Sequence, residues 1–185
     1  MNLKNYSFTK EWTLFLDRDG VISRRIHNGY VRRWEEFEFL DGVLDSIHSL
    51  SNIFGRIIIL SNQQGVGKGL MTHDDLKLID KRMRQVVLEN GGRIDAAYYC
   101  THLESENHPD RKPGTGMGIK AKADFPEIDF ARSVMVGDSP SDIEFGKRLG
   151  MITVYLSSNQ DEYIEADFFY NSLKDFTEQL ITNNE

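Results

Sequence analysis

Short runs of apolar residues, each too brief for an ordinary helix and each ending abruptly in polar residues, constrain this chain's fold more than any other feature. Trp12 to Leu16 runs into Asp17, and the isoleucine-rich run Arg56 to Leu60 runs into Ser61. Ala96 to Cys100, Val134 to Val136 and Ile152 to Leu156 repeat the pattern, and Phe168 to Tyr170 adds a shorter edge run. Continuous apolar stretches of this length read as strands buried on both faces. Between the first two, Val43, Leu44, Ile47, Leu50 and Phe54 recur at helical spacing. A longer helix opens at Thr72, where Asp75 forms a capping box, carries Leu76, Ile79, Met83, Val86 and Val87 inward, and stops at Gly91-Gly92. Met117 to Asp124, Ser141 to Leu149 and a C-terminal segment supply further helices. Alternating strands and helices imply right-handed crossovers, so the predicted fold is α/β, a doubly wound parallel sheet covered on both faces. No Gly/Ser linker, charge block or repeat divides the sequence, and 185 residues suit one domain over 1–185.

Open parallel sheets bind ligands outside the carboxyl ends of their strands, which makes the strand exits the place to look for chemistry. The first exit reads Asp17-Arg18-Asp19-Gly20, the second Ser61-Asn62-Gln63 and the fourth Gly137-Asp138-Ser139, with Lys112 beyond the third. Asp17 and Asp19 leave an extended backbone on the same side, and two carboxylates held close repel unless a cation intervenes. A hard divalent ion with oxygen ligands meets that need, and Asp138 supplies a further carboxylate. Magnesium fits because it takes one or two carboxylates, keeps waters and accepts a substrate phosphate. A phosphate there lies beside Asp17, whose carboxylate is placed to attack phosphorus, while Asp19 handles the proton. Ser61 and nearby amides, with Asn62, are candidates for holding the phosphoryl oxygens, and Lys112 for neutralising charge. Asp142, four residues past Asp138, is expected to orient the metal shell. A lone Asp after a strand is ordinarily a turn or cap residue; several polar exits at one sheet edge are not explained that way.

The formal charge of -7 disfavours nucleic acid and acidic membranes as partners, so cations for an anionic substrate must be local: Arg18, Lys68, Arg111 and Lys112 are the candidates. Met1 to Trp12 lacks an apolar signal region, no run is long enough to span a bilayer, and the single cysteine, Cys100, excludes an intramolecular disulfide. A cytoplasmic protein, acting as a monomer on a small-molecule phosphate ester, is the resulting expectation.

These exits resemble the four motifs of the haloacid dehalogenase superfamily: Asp-x-Asp, Ser or Thr, Lys, and Gly-Asp-x-x-x-Asp. Phe15 to Gly20, Gly29-Tyr30-Val31, Phe37-Glu38-Phe39, Asp41-Gly42-Val43, Ser61-Asn62-Gln63 and Arg111-Lys112-Pro113 are similar to the D-glycero-D-manno-heptose 1,7-bisphosphate phosphatases and the related histidinol phosphatases. The resemblance implies Asp17 as nucleophile, Asp19 as acid/base, and Mg2+ held by Asp17, Asp138 and the Asp19 carbonyl. It implies a Rossmann-like core without a cap domain, because the intervals between motifs are too short for one, and a flap of roughly 21–34. In that family the Arg-Lys pair contacts substrate phosphate, which assigns Arg111 and Lys112 to substrate. Ser139 stands where the heptose phosphatases commonly place a Lys, removing one substrate contact.

Relatives also often hold a structural zinc through Cys-x-His and Cys-x-Cys. Here Cys100 and His102 remain, but His108-Pro109-Asp110 replaces the second pair. All four side chains are able to ligate Zn2+, and the alternative is an empty loop with a packed thiol. The resemblance implies heptose bisphosphate hydrolysis first, histidinol phosphate hydrolysis second and a polynucleotide 3′-phosphatase a distant third; a catalytically silent phosphate-binding module is the rival of another class. Gly65 to Gly69 lacks the glycine and the Ser or Thr of a P-loop and reads as a loop.

Overall fold

A computed structural model describes residues 3–158 and 164–184. Its six strands, β1 (Thr13–Leu16), β2 (Arg56–Asn62), β3 (Ala96–Cys100), β4 (Ser133–Gly137), β5 (Ile152–Leu156) and β6 (Phe168–Tyr170), form one sheet in the order β3-β2-β1-β4-β5-β6. Every pairing is parallel. Alternation along the strands divides their side chains between two cores: Leu14, Leu16, Ile57, Ile59, Val134 and Val136 face one side, Phe15, Ile58, Leu60 and Met135 the other.

The helices are α1 (Val43–Ile53), α2 (Gln64–Gly67), α3 (His73–Glu89), α4 (Gly116–Asp124), α5 (Pro140–Leu149) and α6 (Leu173–Asn184). The stripes of α1, α3 and α6, among them Ile47, Leu50, Met83, Val87 and Phe176, close the first core, while Met117, Ala121 and Phe145 of α4 and α5 close the second. Burying such a stripe contributes about 1.5–3 kcal/mol per large side chain, which offsets the entropy of ordering the crossover. Thr72 and Asp75 form the reciprocal capping box expected of them. β2 runs two residues past its apolar stretch because its ladder with β3 continues through Ser61↔Tyr99 and Asn62↔Cys100, where backbone pairing rather than side-chain polarity decides. The segment 65–69, expected to be a plain loop, begins in the short α2 turn.

Winding outward from β1 to β2 and β3 on one face and then to β4 and β5 on the other leaves the connections diverging between β1 and β4. That divergence opens the crevice in which doubly wound sheets bind ligands. Over it folds the segment after β1, tied back by Arg24 N–H to Glu38 O at 2.8 Å and Leu40 N–H to Ile22 O at 3.0 Å, and anchored by the packed rings of Trp34, Phe37 and Phe39. Among the described residues, no helix is long and apolar enough to cross a membrane.

Candidate active site

Asp17 extends β1 by one ladder bond, its N–H reaching Val136 O at 3.0 Å, and so emerges beside Asp138 at the end of β4. Two glycines make the approach feasible. A Cβ on Gly20, whose φ is +95°, would lie 1.8 Å from Asp138 Oδ2, and one on Gly137 would lie 2.1 Å from Asp142 Cβ. Asp17, Asp138 and Asp142 each present an oxygen within 4.8 Å of the others, and they are the only such group of three or more potential ligands among the described residues.

Lys112 answers part of that charge. Its Nζ lies 3.0 Å from Asp17 Oδ1 and 2.6 Å from Asp142 Oδ1, and donates to Leu60 O at 2.7 Å, with the side chain 1 % exposed. Asn62 clamps the lysine's main chain from both ends: its Oδ1 accepts from Lys112 N–H at 3.0 Å and its Nδ2 donates to Lys112 O at 3.1 Å. The peptide bond from Lys112 to Pro113 is cis. Burial works against the ammonium, but the Asp142 and Asp17 carboxylates outweigh it and raise its pKa. Asp142, expected to orient the metal shell, is itself held in place: its second oxygen accepts from Ser139 Oγ at 2.6 Å and from Ser139 N–H at 3.1 Å, capping α5.

Asp17 is raised by burial first and then by Asp142 and Asp19, against the pull of Lys112. Asp138 is pushed up to about 7 by burial and by the Asp17 charge. Carboxylates crowded in this way call for another cation.

Asp19 sits in a different environment. Arg18 donates to it at 2.9 Å, Gln63 Nε2 at 2.7 Å and Ser23 Oγ at 3.0 Å. Burial alone would raise its pKa, but the Arg18 charge and these hydrogen bonds hold it below the ordinary value. Arg18 was one of the cations expected to meet an anionic substrate. It is fully buried, bonded also to Gln63 Oε1 at 3.0 Å, and serves Asp19 instead. The Asp19 carboxylate therefore stands outside the acidic cluster, while its residue still lines the crevice with a partly exposed side chain and its main-chain carbonyl reaches Arg25.

That carbonyl, Asp138 Oδ1 and Asp17 Oδ2 share a neighbour: Arg25 Nη2, at 3.2, 2.6 and 4.0 Å respectively. They are the oxygens expected to hold magnesium, and a cationic group lies among them. Two hard carboxylate oxygens and a carbonyl, with an open side toward the crevice, fit Mg2+.

The crevice above is a cavity of about 780 Å³ whose lining includes Ser61, Asn62, Tyr30, Lys68 and Arg111. Ser61 Oγ accepts from Gln63 Nε2 at 3.0 Å. Arg111 has only a 3.9 Å approach to Glu104 and a buried Nη1 without a hydrogen-bond acceptor. Lys68 donates to Tyr30 Oη at 2.9 Å. Sequence reasoning missed Arg25, Ser23 and the role of Gln63; Gln63 sits in a recognised exit, but nothing in the order of residues places a flap arginine over the acids.

The zinc candidates are not brought together. Cys100, His102, His108 and Asp110 form no ligand cluster among the described residues. His102 and His108 stack face to face, 3.6 Å between ring centroids and 4° between planes, while His102 Nδ1 pairs with Glu106 at 2.6 Å and His108 Nδ1 accepts from Asp110 N–H at 3.1 Å. The Asp110 carboxylate pairs with Lys120. As arranged here, the four side chains do not converge on a zinc site.

The HAD-hydrolase-like family profile matches residues 110–175. A D-glycero-alpha-D-manno-heptose-1,7-bisphosphate 7-phosphatase of Mycobacterium tuberculosis (strain CDC 1551 / Oshkosh) is 38% identical over 134 residues, 72% of this chain and 70% of the relative. One from Campylobacter jejuni subsp. jejuni serotype O:2 is 35% identical over 169 residues, 90% of this chain and 94% of the relative. The solved structure of D,D-heptose 1,7-bisphosphate phosphatase from B. bronchiseptica, complexed with magnesium and phosphate, superimposes with a TM-score of 0.84 at 25% identity, covering 92% of this chain and 98% of that one.

Proposed function

This chain belongs to the haloacid dehalogenase-like phosphatases, in the family of the heptose-1,7-bisphosphate 7-phosphatases, and on that premise we propose that it releases the 7-phosphate of D-glycero-D-manno-heptose 1,7-bisphosphate. The protein is a phosphoric monoester hydrolase, and the phosphatases of its superfamily use Mg2+. The observation that carries the assignment of roles is the splitting of the Asp17 carboxylate: Oδ1 pairs with Lys112, and Oδ2 approaches Arg25, which is itself bound to Asp138.

Asp17, Asp138 and the Asp19 carbonyl would hold the metal, which would supply positive charge against the phosphate oxygens. An Asp17 oxygen forms a bond to phosphorus as the ester P–O bond breaks, and Asp19 gives its proton to the departing alkoxide. Asp19 then accepts a proton from water as the water oxygen bonds to phosphorus and the Asp17–phosphorus bond breaks, leaving inorganic phosphate. Its low pKa keeps Asp19 ionised at rest, so its proton is acquired once a phosphate dianion lies beside it and raises its proton affinity. Lys112 opposes protonation of Asp17, against the burial that favours it, and neutralises charge on the phosphoryl group. Ser61, with Asn62 behind it fixing the Lys112 backbone, borders the transferred oxygens, and Arg111 offers its free guanidinium face to the substrate's other phosphate. The cavity of about 780 Å³, with Lys68, Arg111 and Lys112 in its lining, suits a sugar phosphate.

Phosphate release measured with Mg2+ on both anomers of the heptose bisphosphate, on histidinol phosphate and on a 3′-phosphorylated oligonucleotide tests this reading. The heptose bisphosphate should be turned over with the highest kcat/KM, and Asp17→Asn should abolish release. Preference for another ester would refute the substrate assignment, and no turnover of any would refute the enzyme.

A further inference from the structure

The cluster carries two cations of different character, and the difference assigns a task to the second. Lys112 is buried and held by three acceptors. Arg25 comes from the flap, is 50 % exposed, and reaches in through one nitrogen with a single short contact, 2.6 Å to Asp138. That nitrogen faces Asp138 Oδ1, the Asp19 carbonyl and Asp17 Oδ2. A magnesium ion held at its usual 2.0–2.1 Å from oxygen fills the same space, so ion and guanidinium exclude each other. Formal charge points the same way. Three carboxylates against the Lys112 ammonium leave two net negative charges, which one guanidinium halves and one divalent ion cancels.

We infer that Arg25 is the exchangeable counter-ion of the metal site: it holds Asp17 and Asp138 together in the metal-free protein, is displaced when Mg2+ binds, and is thereby delivered to the cavity as a contact for the anionic substrate. The displaced side chain has somewhere to go, since Arg25 lines the same cavity as Lys68 and Arg111. Metal loading and cation placement are then one event, and metal binds before substrate. The neighbouring Arg24 provides the contrast. It is spent on Glu38 at the outer side of the flap, with contacts of 2.9 and 3.0 Å.

The inference rests on the metal site proposed above but not on the identity of the sugar, so its test uses the metal alone. Metal-stripped protein is titrated with MgCl2 in a calorimeter, and the arginine Nε–H signals are followed by NMR, the Arg25 signal being assigned by its loss in Arg25→Ala. Removing a competing, partly exposed ion pair should tighten Mg2+ binding about fivefold in Arg25→Ala. Arg25→Lys should lie closer to the wild type, Arg24→Ala should be unchanged, and the Arg25 signal should shift as the metal saturates. KM for the phosphate ester should move the opposite way, rising several-fold in Arg25→Ala. Unchanged or weaker Mg2+ binding in Arg25→Ala, or an Arg25 signal indifferent to Mg2+, would overturn the inference. Failure of the substrate assignment would leave the magnesium titration intact, whereas absence of any Mg2+ binding to the wild type would remove both.

Discussion

Asp138 has too little water and too much negative charge around it, and both push its carboxyl up to about 7 from the ordinary 3.8. A folded value above the unfolded one means that this residue's contribution to stability is fully present below about pH 4 and is lost as pH rises through about 7. The amount is on the order of 4 kcal/mol at roughly 1.4 kcal/mol per pH unit. Urea denaturation of the metal-free protein across that window should therefore show a decline that is shallower in Asp138→Asn, and Mg2+ should reverse it at pH 8 while doing little at pH 5. Equal pH profiles for the two proteins would show that the carboxylates are not crowded as described. Lys112 illustrates the converse principle. Removing it would leave Asp17 and Asp142 facing each other without their shared cation, the kind of broken buried pair that costs about 3–5 kcal/mol.

Among the elements, the strands were the most legible: β3, β5 and β6 coincide with their apolar runs, β5 because a strand buried on both faces advertises itself without a periodic pattern, and the half-buried edge strands β3 and β6 through their run of apolar and aromatic residues. The exits of β1, β2 and β4 were legible for the same reason, since a polar residue following such a run must leave the core. Loops carry no such constraint. The segment following Cys100 kept half of a zinc-binding spelling, yet its order comes from the His102–His108 stack and the pairs with Glu106 and Asp110. Dialysis against a strong chelator followed by return of Mg2+ alone should leave both Tm and KM as they were, whereas His108→Ala should raise KM several-fold through Arg111 with little change in kcat. A Tm that falls on chelation and recovers only with zinc would reinstate the metal. The flap shows the same limit: nothing in the spacing of Arg24 and Arg25 distinguishes the one that pairs with Glu38 from the one that turns to the acids.

Taken whole, the molecule carries net negative charge and acts on an anion, and the sheet resolves the conflict by geometry. The divergence of connections between β1 and β4 opens one crevice, into which the chain sends Arg25, Lys68 and the adjacent pair Arg111 and Lys112 from three separate segments. Electrostatic attraction is thus confined to the place where the phosphate must sit. The central claim is that Asp17, beside a magnesium ion shared with Asp138, forms the bond to phosphorus. Isotope exchange between heavy-oxygen-labelled inorganic phosphate and ordinary water, with no sugar present, reads that step directly, because exchange without an alcohol requires a phosphorylated enzyme. The account expects exchange that depends on Mg2+ and disappears in Asp17→Asn; ester hydrolysis at full rate without exchange, or exchange that survives in Asp17→Asn, would contradict it.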